Sequence, residues 1–506
     1  MNNLSGTYCF SHRSFSTTKL PLRKSICSRK SYPYLKQVIF FIFPNILENQ
    51  EKTLMMKGMH LQNPQFKTII ADDMRTLTIT AMLLTVMSCT SQTVWDITDY
   101  GAIGDGLSDN TLAINRAVSL CSQAGGGTVL IPEGDFVSGT VFLKSGVTLK
   151  LAQGARLSGS LDLDAYASYI PSKDLSRYDS GTGTANQNCA SDSSWCRALI
   201  IAANTSGAAI LGPGIIDGRN IEDPAGEENI RGPHTIILAE SGNLSISDIT
   251  IVNSGNYAIL GYELDNARFE DVNISGGWDG IHLRGAVNSG IFNSRFTTGD
   301  DCIAGGWWEN FTIRGCRLNS SCNGIRMIMP SERLSITDCL FEGPGLAPHR
   351  TSSSTGKPML YGISLEPGGW GPAPGRLDRI SIRGCSFLKT LSPISVTLQD
   401  DNSCGEILIE NCTALNTWRM ALSVKSWGTA RTDKVTIRNC LFNFDGIPDP
   451  TIPEKMASLP FDQWPYFPSW GAWFRNIGEV IIKNTSFTLN GRDYRPDILY
   501  DNVGKW

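Results

Sequence analysis

The sequence predicts an all-β fold: a single right-handed parallel β-helix, a solenoid, with a short N-terminal capping helix. Three observations predict it. A strand-like unit recurs through the second half of the chain, each unit turns at Asn, Gly or Asp, and windows with helical periodicity are few.

The repeat comes first. The segments NLSISDITI (from Asn243), NARFEDVNI (Asn266), NFTIRGCRL (Asn310), RLSITDCLF (Arg333), RISIRGCSF (Arg379), EILIENCTA (Glu406), KVTIRNCLF (Lys434) and EVIIKNTSF (Glu479) align. Their starts lie about 22 to 28 residues apart, or near twice that where a rung is hidden. Self-similarity at this period means stacked units that bury a shared core. A leucine-rich repeat has a similar period but needs a Leu ladder and its own Asn motif, and neither is present. Cys316, Cys339, Cys385, Cys412 and Cys440 occupy one slot of their rungs. No His or CxxC accompanies them, so they read as a reduced, buried ladder of small hydrophobes, not disulfides or a metal site.

The N-terminal part has one helical stretch, Thr111 to Ala124, with apolar residues at Leu112, Ala113, Ala117 and Leu120. A helix there would protect the open backbone edge of a solenoid. Short Gly-punctuated strands follow.

The 506 residues include 50 Gly and 24 Pro, with 41% hydrophobic and 18% charged, a globular composition. The formal charge of -4 gives no support to nucleic-acid binding. Residues 1–73 are basic, Ser-rich and aperiodic, and read as a non-native or disordered extension. Residues 74–89 read as an export signal: one basic residue, a short apolar run, then Val86-Met87-Ser88-Cys89. Small residues before Cys89 make that thiol the expected lipidation site, giving a periplasmic, outer-membrane or cell-surface lipoprotein. Residues 94–506 then form a single β-helix domain. Without residues 1–73 the chain carries 34 basic and 44 acidic side chains, or -10. Such a chain repels a polyanion at long range. Cys189 and Cys196 bracket the loop CASDSSWC and are placed to close it by a disulfide.

The stretch FTTGDDCIAGGWW sets Asp300 beside Asp301. Adjacent carboxylates on a strand would point to opposite faces, so they sit in a bend or serve a cluster of negative charge. With DYGAIGDGLSDNTLAINRAV, GPGIIDGRN, RGPHTIIL and GGWDGIHLRG, this stretch resembles the polygalacturonase family, glycoside hydrolase family twenty-eight, from about Val94 to the end. The chain would be a bacterial, exported member with a divergent active site. The resemblance implies Asp300 as general acid, with Asp279, 21 residues earlier, and Asp301 positioning and activating water. Inverting glycosidases hold acid and base about 6.5–9.5 Å apart. Mutual repulsion in such a cluster would keep one proton in place.

The pattern then breaks. Where the family carries a Gly-His-Gly, this chain has SSCNGIRMIMP, so Asn323 stands for the His and Arg326 replaces a small residue. Where the family carries an Arg and a Lys that grip the uronate, Ser364 and Glu366 stand. Arg326 becomes the expected carboxylate grip, with Lys425 a weaker candidate. His282 and Arg284, on the Asp279 rung, are further polar binding candidates, with His282 reading either as a cleft residue or as a buried, hydrogen-bonded histidine. Of the Trp residues near these rungs (278, 307, 308, 370, 418, 427), Trp307, Trp308 and Trp370 are the expected sugar contacts. The inserts 164–196, 343–358 and 444–475 would wall the cleft and favour exo action. The expected activity is hydrolysis of α-linked galacturonic acid, or a related sugar, from pectic oligosaccharides by a monomer without cofactor or metal. A β-helix lyase using Ca²⁺ and a basic residue, or an inactive surface glycan binder, are the competing readings.

Overall fold

The computed structural model describes residues 93–179, 188–351, 356–418, 420–458 and 466–506. Contacts divide the chain into two units, Met1–Ser91 and Gln92–Trp506. The second is described below. The extension 1–73, the export segment 74–89 and Cys89 lie outside the described residues.

The described unit is all-β with parallel strands, arranged in sheets of 22 and 13 strands. The strands that carry the site are β1 (His234–Ser247), β2 (Ile259–Glu270), β3 (Ile281–Val287), β4 (Ile303–Arg314), β5 (Ile325–Met327), β6 (Met359–Leu365), β7 (Thr390–Leu398), β8 (Leu422–Ser426) and β9 (Ala472–Lys483). Each pairs in parallel with the next. The register stacks Ile236, Ile259, Ile281, Ile303, Ile325, Ile363 and Ile394 in one column. All seven are fully buried. The column fixes the register, because a one-residue slip would turn every isoleucine outward. Truncating one to Ala should cost about 2–5 kcal/mol.

The asparagines of the repeat make the bends. Asn243, Asn266, Asn288 and Asn310 have φ between 50° and 55°. Asn tolerates this left-handed backbone better than bulkier residues. Their amides also bond between rungs, Asn266 Nδ2 to Asn243 Oδ1 and Asn310 Nδ2 to Asn288 Oδ1, both at 2.8 Å.

The five ladder cysteines are free and buried. Each Sγ donates to the carbonyl two residues earlier, as in Cys339 to Thr337 at 3.2 Å and Cys440 to Arg438 at 3.2 Å. Thiol-reactive reagents should therefore label them only on unfolding. Fast stoichiometric labelling of the native protein would contradict the ladder. The expected Cys189–Cys196 disulfide is not formed, and both are free. The Cys196 thiol instead faces backbone, 3.4 Å from the Ala190 carbonyl.

The helix α1 spans Thr111–Gln123, but its core face differs from the expected one. Ile114, Ala117, Val118 and Cys121 are buried, an i, i+3, i+4, i+7 stripe, whereas Leu112 is 86% exposed. The expected stripe was out of phase by two residues at its start.

Candidate active site

The site is built where the chain turns into successive strands. Asp279 lies two residues before β3, Asp301 two before β4, and Asn323 two before β5. The register that stacks Ile281, Ile303 and Ile325 therefore stacks these three side chains as well. Asp300 and Asp301 sit in the bend after the strand Arg295–Thr298, not within a strand. The bend is fastened by Thr298 and Ser320, whose hydroxyls both donate to the Asp300 carbonyl at 2.6 Å.

Asp279 and Asp301 are nearly inaccessible, while the Asp300 side chain keeps 15% exposure. Asn323 Nδ2 donates to Asp301 Oδ1 at 2.7 Å. Asp279 Oδ2 lies 2.7 Å from His282 Nδ1, and Arg284 Nε donates to His282 Nε2 at 3.2 Å. The guanidinium can only donate, so Nε2 is the acceptor and the imidazole hydrogen is on Nδ1, facing Asp279. Burial and the Arg284 charge hold His282 well below the usual imidazole range, and it stays neutral.

The surroundings place the proton elsewhere than the resemblance, which makes Asp300 the acid, implies. Burial pushes the Asp300 carboxyl up, but the hydrogen bond from His349 and the charge of Arg231 outweigh it and hold Asp300 at about 2. Burial and then the Asp300 charge push Asp301 up to about 7. Burial, Asp300 and Asp301 push Asp279 well above the ordinary range. The surroundings thus favour the ionised form at Asp300 and the protonated form at Asp301 and Asp279. The spacing also differs from the expectation. Asp300, Asp301 and Cys322 bring their ligand atoms within 4.8 Å of one another. That is shorter than the inverting separation. The same trio is a poor Ca²⁺ site. Burial pushes the Cys322 thiol up so that it stays protonated, and Ca²⁺ takes six to eight oxygens.

Two residues beside Asp300 had no role in the sequence reading. Arg231 NH2 and His349 Nε2 each lie 3.6 Å from Asp300 Oδ2. Arg231 also lies over the Trp278 ring at 3.7 Å. His349 belongs to the insert 343–358, which was expected to act only as a wall. The neighbouring Arg350 pins the insert by donating to Gly255 O at 3.2 Å and Glu222 Oε1 at 2.8 Å. Gly299 allows the approach, since a Cβ there would meet the Pro348 carbonyl at 2.4 Å. The HR pair in GLAPHRTSSSTGKPM was the available signal. Replacing His349 by Ala should raise the pKa of Asp300, moving the acid limb of any pH–rate profile upward from about 2. An unmoved limb would contradict this contact.

His282 and Arg284 are corrected from binding candidates to buried supports, both fully inaccessible. Arg284 NH1 donates to the Tyr178 and Asn188 carbonyls at 3.0 and 3.1 Å. Trp308 is likewise corrected. It is 1% exposed, donates to Leu283 O at 2.9 Å and stacks on Phe311, because its position points it into the coil. Trp307 faces a separate cavity of about 520 Å³, beneath Arg177 at 4.5 Å. Trp370 alone of the three joins the site, 5.7 Å from the His282 ring and 5.3 Å from the Arg326 guanidinium. Arg326 is not a vacant grip, since its Nε donates to Glu366 Oε1 at 2.6 Å. Lys425 is buried, donating to Ser395 and Ser423 hydroxyls at 2.9 and 3.1 Å, and burial pushes it down to about 7.

The parallel stacked strands thus set three carboxyls, Asp279, Asp300 and Asp301, near Trp370 and the Arg326–Glu366 pair. Residues 94–159 match the model described as rhamnogalacturonase A/epimerase, pectate lyase-like, and residues 234–369 match a right-handed β-helix region. The chain is 30% identical to the exo-poly-α-D-galacturonosidase of Dickeya chrysanthemi over 258 residues, covering 42% of this chain and 41% of that protein. It is 29% identical to a probable polygalacturonase of Vitis vinifera over 244 residues, covering 45% and 48%. The aligned part therefore spans less than half the length of these relatives. Among solved structures, a family 28 exopolygalacturonase of Yersinia enterocolitica aligns at TM-score 0.51 and 17% identity, covering 82% of this chain and 78% of that one. The Streptococcus pneumoniae surface adhesin PfbA aligns at TM-score 0.51 and 16% identity, covering 81% and 93%. At these identities the likeness is one of fold.

Proposed function

We propose that the protein is an exported glycoside hydrolase that cleaves α-linked galacturonic acid, or a related sugar, from the ends of pectic oligosaccharides. One feature carries the reading: Asp300 and Asp301 adjoin in one bend, and their surroundings drive them apart, Arg231 and His349 holding Asp300 down at about 2 while burial and Asp300 push Asp301 up to about 7. General acid–base cleavage of a glycosidic bond needs such a pair. Asp301 is the proton donor, the more open Asp300 activates water, and Asp279, held by His282 and Arg284, positions them. The relatives' names support the pectic substrate. The parallel register and the β-helix match support one right-handed solenoid over residues 94–506. Inversion is the proposed outcome. The short gap within the doublet favours a second reading, retention, since retaining enzymes hold their carboxyls only about 5–5.5 Å apart. A panel of pectic oligosaccharides incubated with the protein, with the released sugar identified, tests the activity. Turnover of none would sink it.

A lyase is the weaker reading, because its basic residue, Arg326, is already paired with Glu366. Export with lipid on Cys89 is part of the proposal, and it rests on the apolar run and the small residues before that Cys. Mass spectrometry of the native N-terminus should find a lipidated Cys89. A retained residue 1–73 segment or an unmodified start would oppose it.

A further inference from the structure

We propose that the subsite formed by Arg326, Glu366 and Trp370 takes an uncharged sugar ring, not a uronate. This rests on the hydrolase reading above and narrows its substrate. Arg326 and Glu366 are partly open, with 23% and 27% of their side chains exposed, so the pair reaches solvent beside the carboxyl cluster. A guanidinium offered to a substrate carboxylate needs its own charge unspent. Here Arg326 is neutralised by Glu366 at 2.6 Å. Among the described residues, the basic groups named above are committed as well. Arg284 is fully buried on carbonyls, Arg231 and His349 face Asp300, and Lys425 is buried on two hydroxyls. The column that carries Arg326 continues through Ser364, Ser395 and Ser423, which bring no charge.

A uronate carboxylate placed beside Arg326 would therefore meet the Glu366 carboxylate, 2.6 Å from the same guanidinium. Like charges at such range repel. An uncharged ring meets no such penalty. The pair presents N–H donors and a carboxylate acceptor side by side, which suits neighbouring hydroxyls. The Trp370 face, 5.3 Å from the guanidinium, suits the apolar C–H side of a sugar.

The test uses two matched sets of pectic oligosaccharides: one with native galacturonate ends, one with those carboxyls chemically reduced to alcohols. The full protein should show a higher kcat/KM on the reduced set. Glu366→Gln should move the ratio toward the uronate set by roughly 10- to 100-fold, the scale of one charge-assisted hydrogen bond. Equal or higher kcat/KM on the uronate set, or a ratio unmoved by Glu366→Gln, overturns the proposal. If neither set is cleaved, the hydrolase reading fails separately. Calorimetry then decides the subsite: tighter binding of the reduced set supports it, and tighter or equal binding of the uronate set, or binding of neither, overturns it.

Discussion

Asp300→Asn is expected to keep the fold and lower hydrolysis of pectic oligosaccharides by about 10² to 10⁴-fold, the usual weight of one positioned acid–base group. The amide matches the carboxylate in shape, and Thr298 and Ser320 hold the bend through the Asp300 backbone, not its side chain. The missing part is charge. Without it, water loses its base, and Asp301 loses the neighbour that helps hold its proton. Asp301→Asn should cost a similar factor for the complementary reason. The sign of the pH dependence follows from the two groups. Asp301 is raised to about 7, so the protonated donor is present below 7 and is lost above it. Asp300 is lowered to about 2, so the carboxylate persists down to about 2. Activity should be level on the acidic side of neutrality and fall as pH rises past 7. Arg326 lowers Asp301, so Arg326→Ala should shift that fall to higher pH. A shift downward, or full activity from either Asn variant, would remove these roles.

Arg284→Met should destabilise the fold by about 3–5 kcal/mol, the range for breaking a buried charged network by removing one partner. Arg284 is inaccessible and donates to His282 Nε2, Tyr178 O and Asn188 O. Met fills much of the volume but donates nothing, so these buried acceptors are left unpaired. The His282 tautomer would also lose its cause, and with it the fixed hydrogen bond to Asp279. Denaturant unfolding with an unchanged slope should report the loss. A midpoint unmoved from the parent protein would show that the network carries no such weight.

The strand period, the turn asparagines and the equal slots of the cysteines were legible in the sequence because they are local and repeated. The register then placed Asp279, Asp301 and Asn323 in one stack, as the 22-residue spacing required. What was not legible is set by contacts between distant segments. His349 reaches Asp300 from an insert about 50 residues downstream, and no spacing rule points there. Arg231 reaches it from the rung region before β1. Together they favour the ionised form at Asp300, opposite to the acid role that the family resemblance implies for it. Trp307 and Trp308 look equivalent in sequence, yet adjacent residues point to opposite faces, and one of them is core. Arg284 reads as a cleft residue because arginine is seldom fully buried, and sequence alone left His282 open between cleft and core. The buried network that holds them needs Asn188 and Tyr178, far upstream.

The most direct measurement is proton NMR of the reaction mixture, following pectic oligosaccharides with the protein and with its Asp300→Asn variant. The assignment predicts release of a saturated sugar, formed first as the inverted anomer by the parent protein and strongly diminished for the variant. An unsaturated product, or equal release by parent and variant, would contradict it.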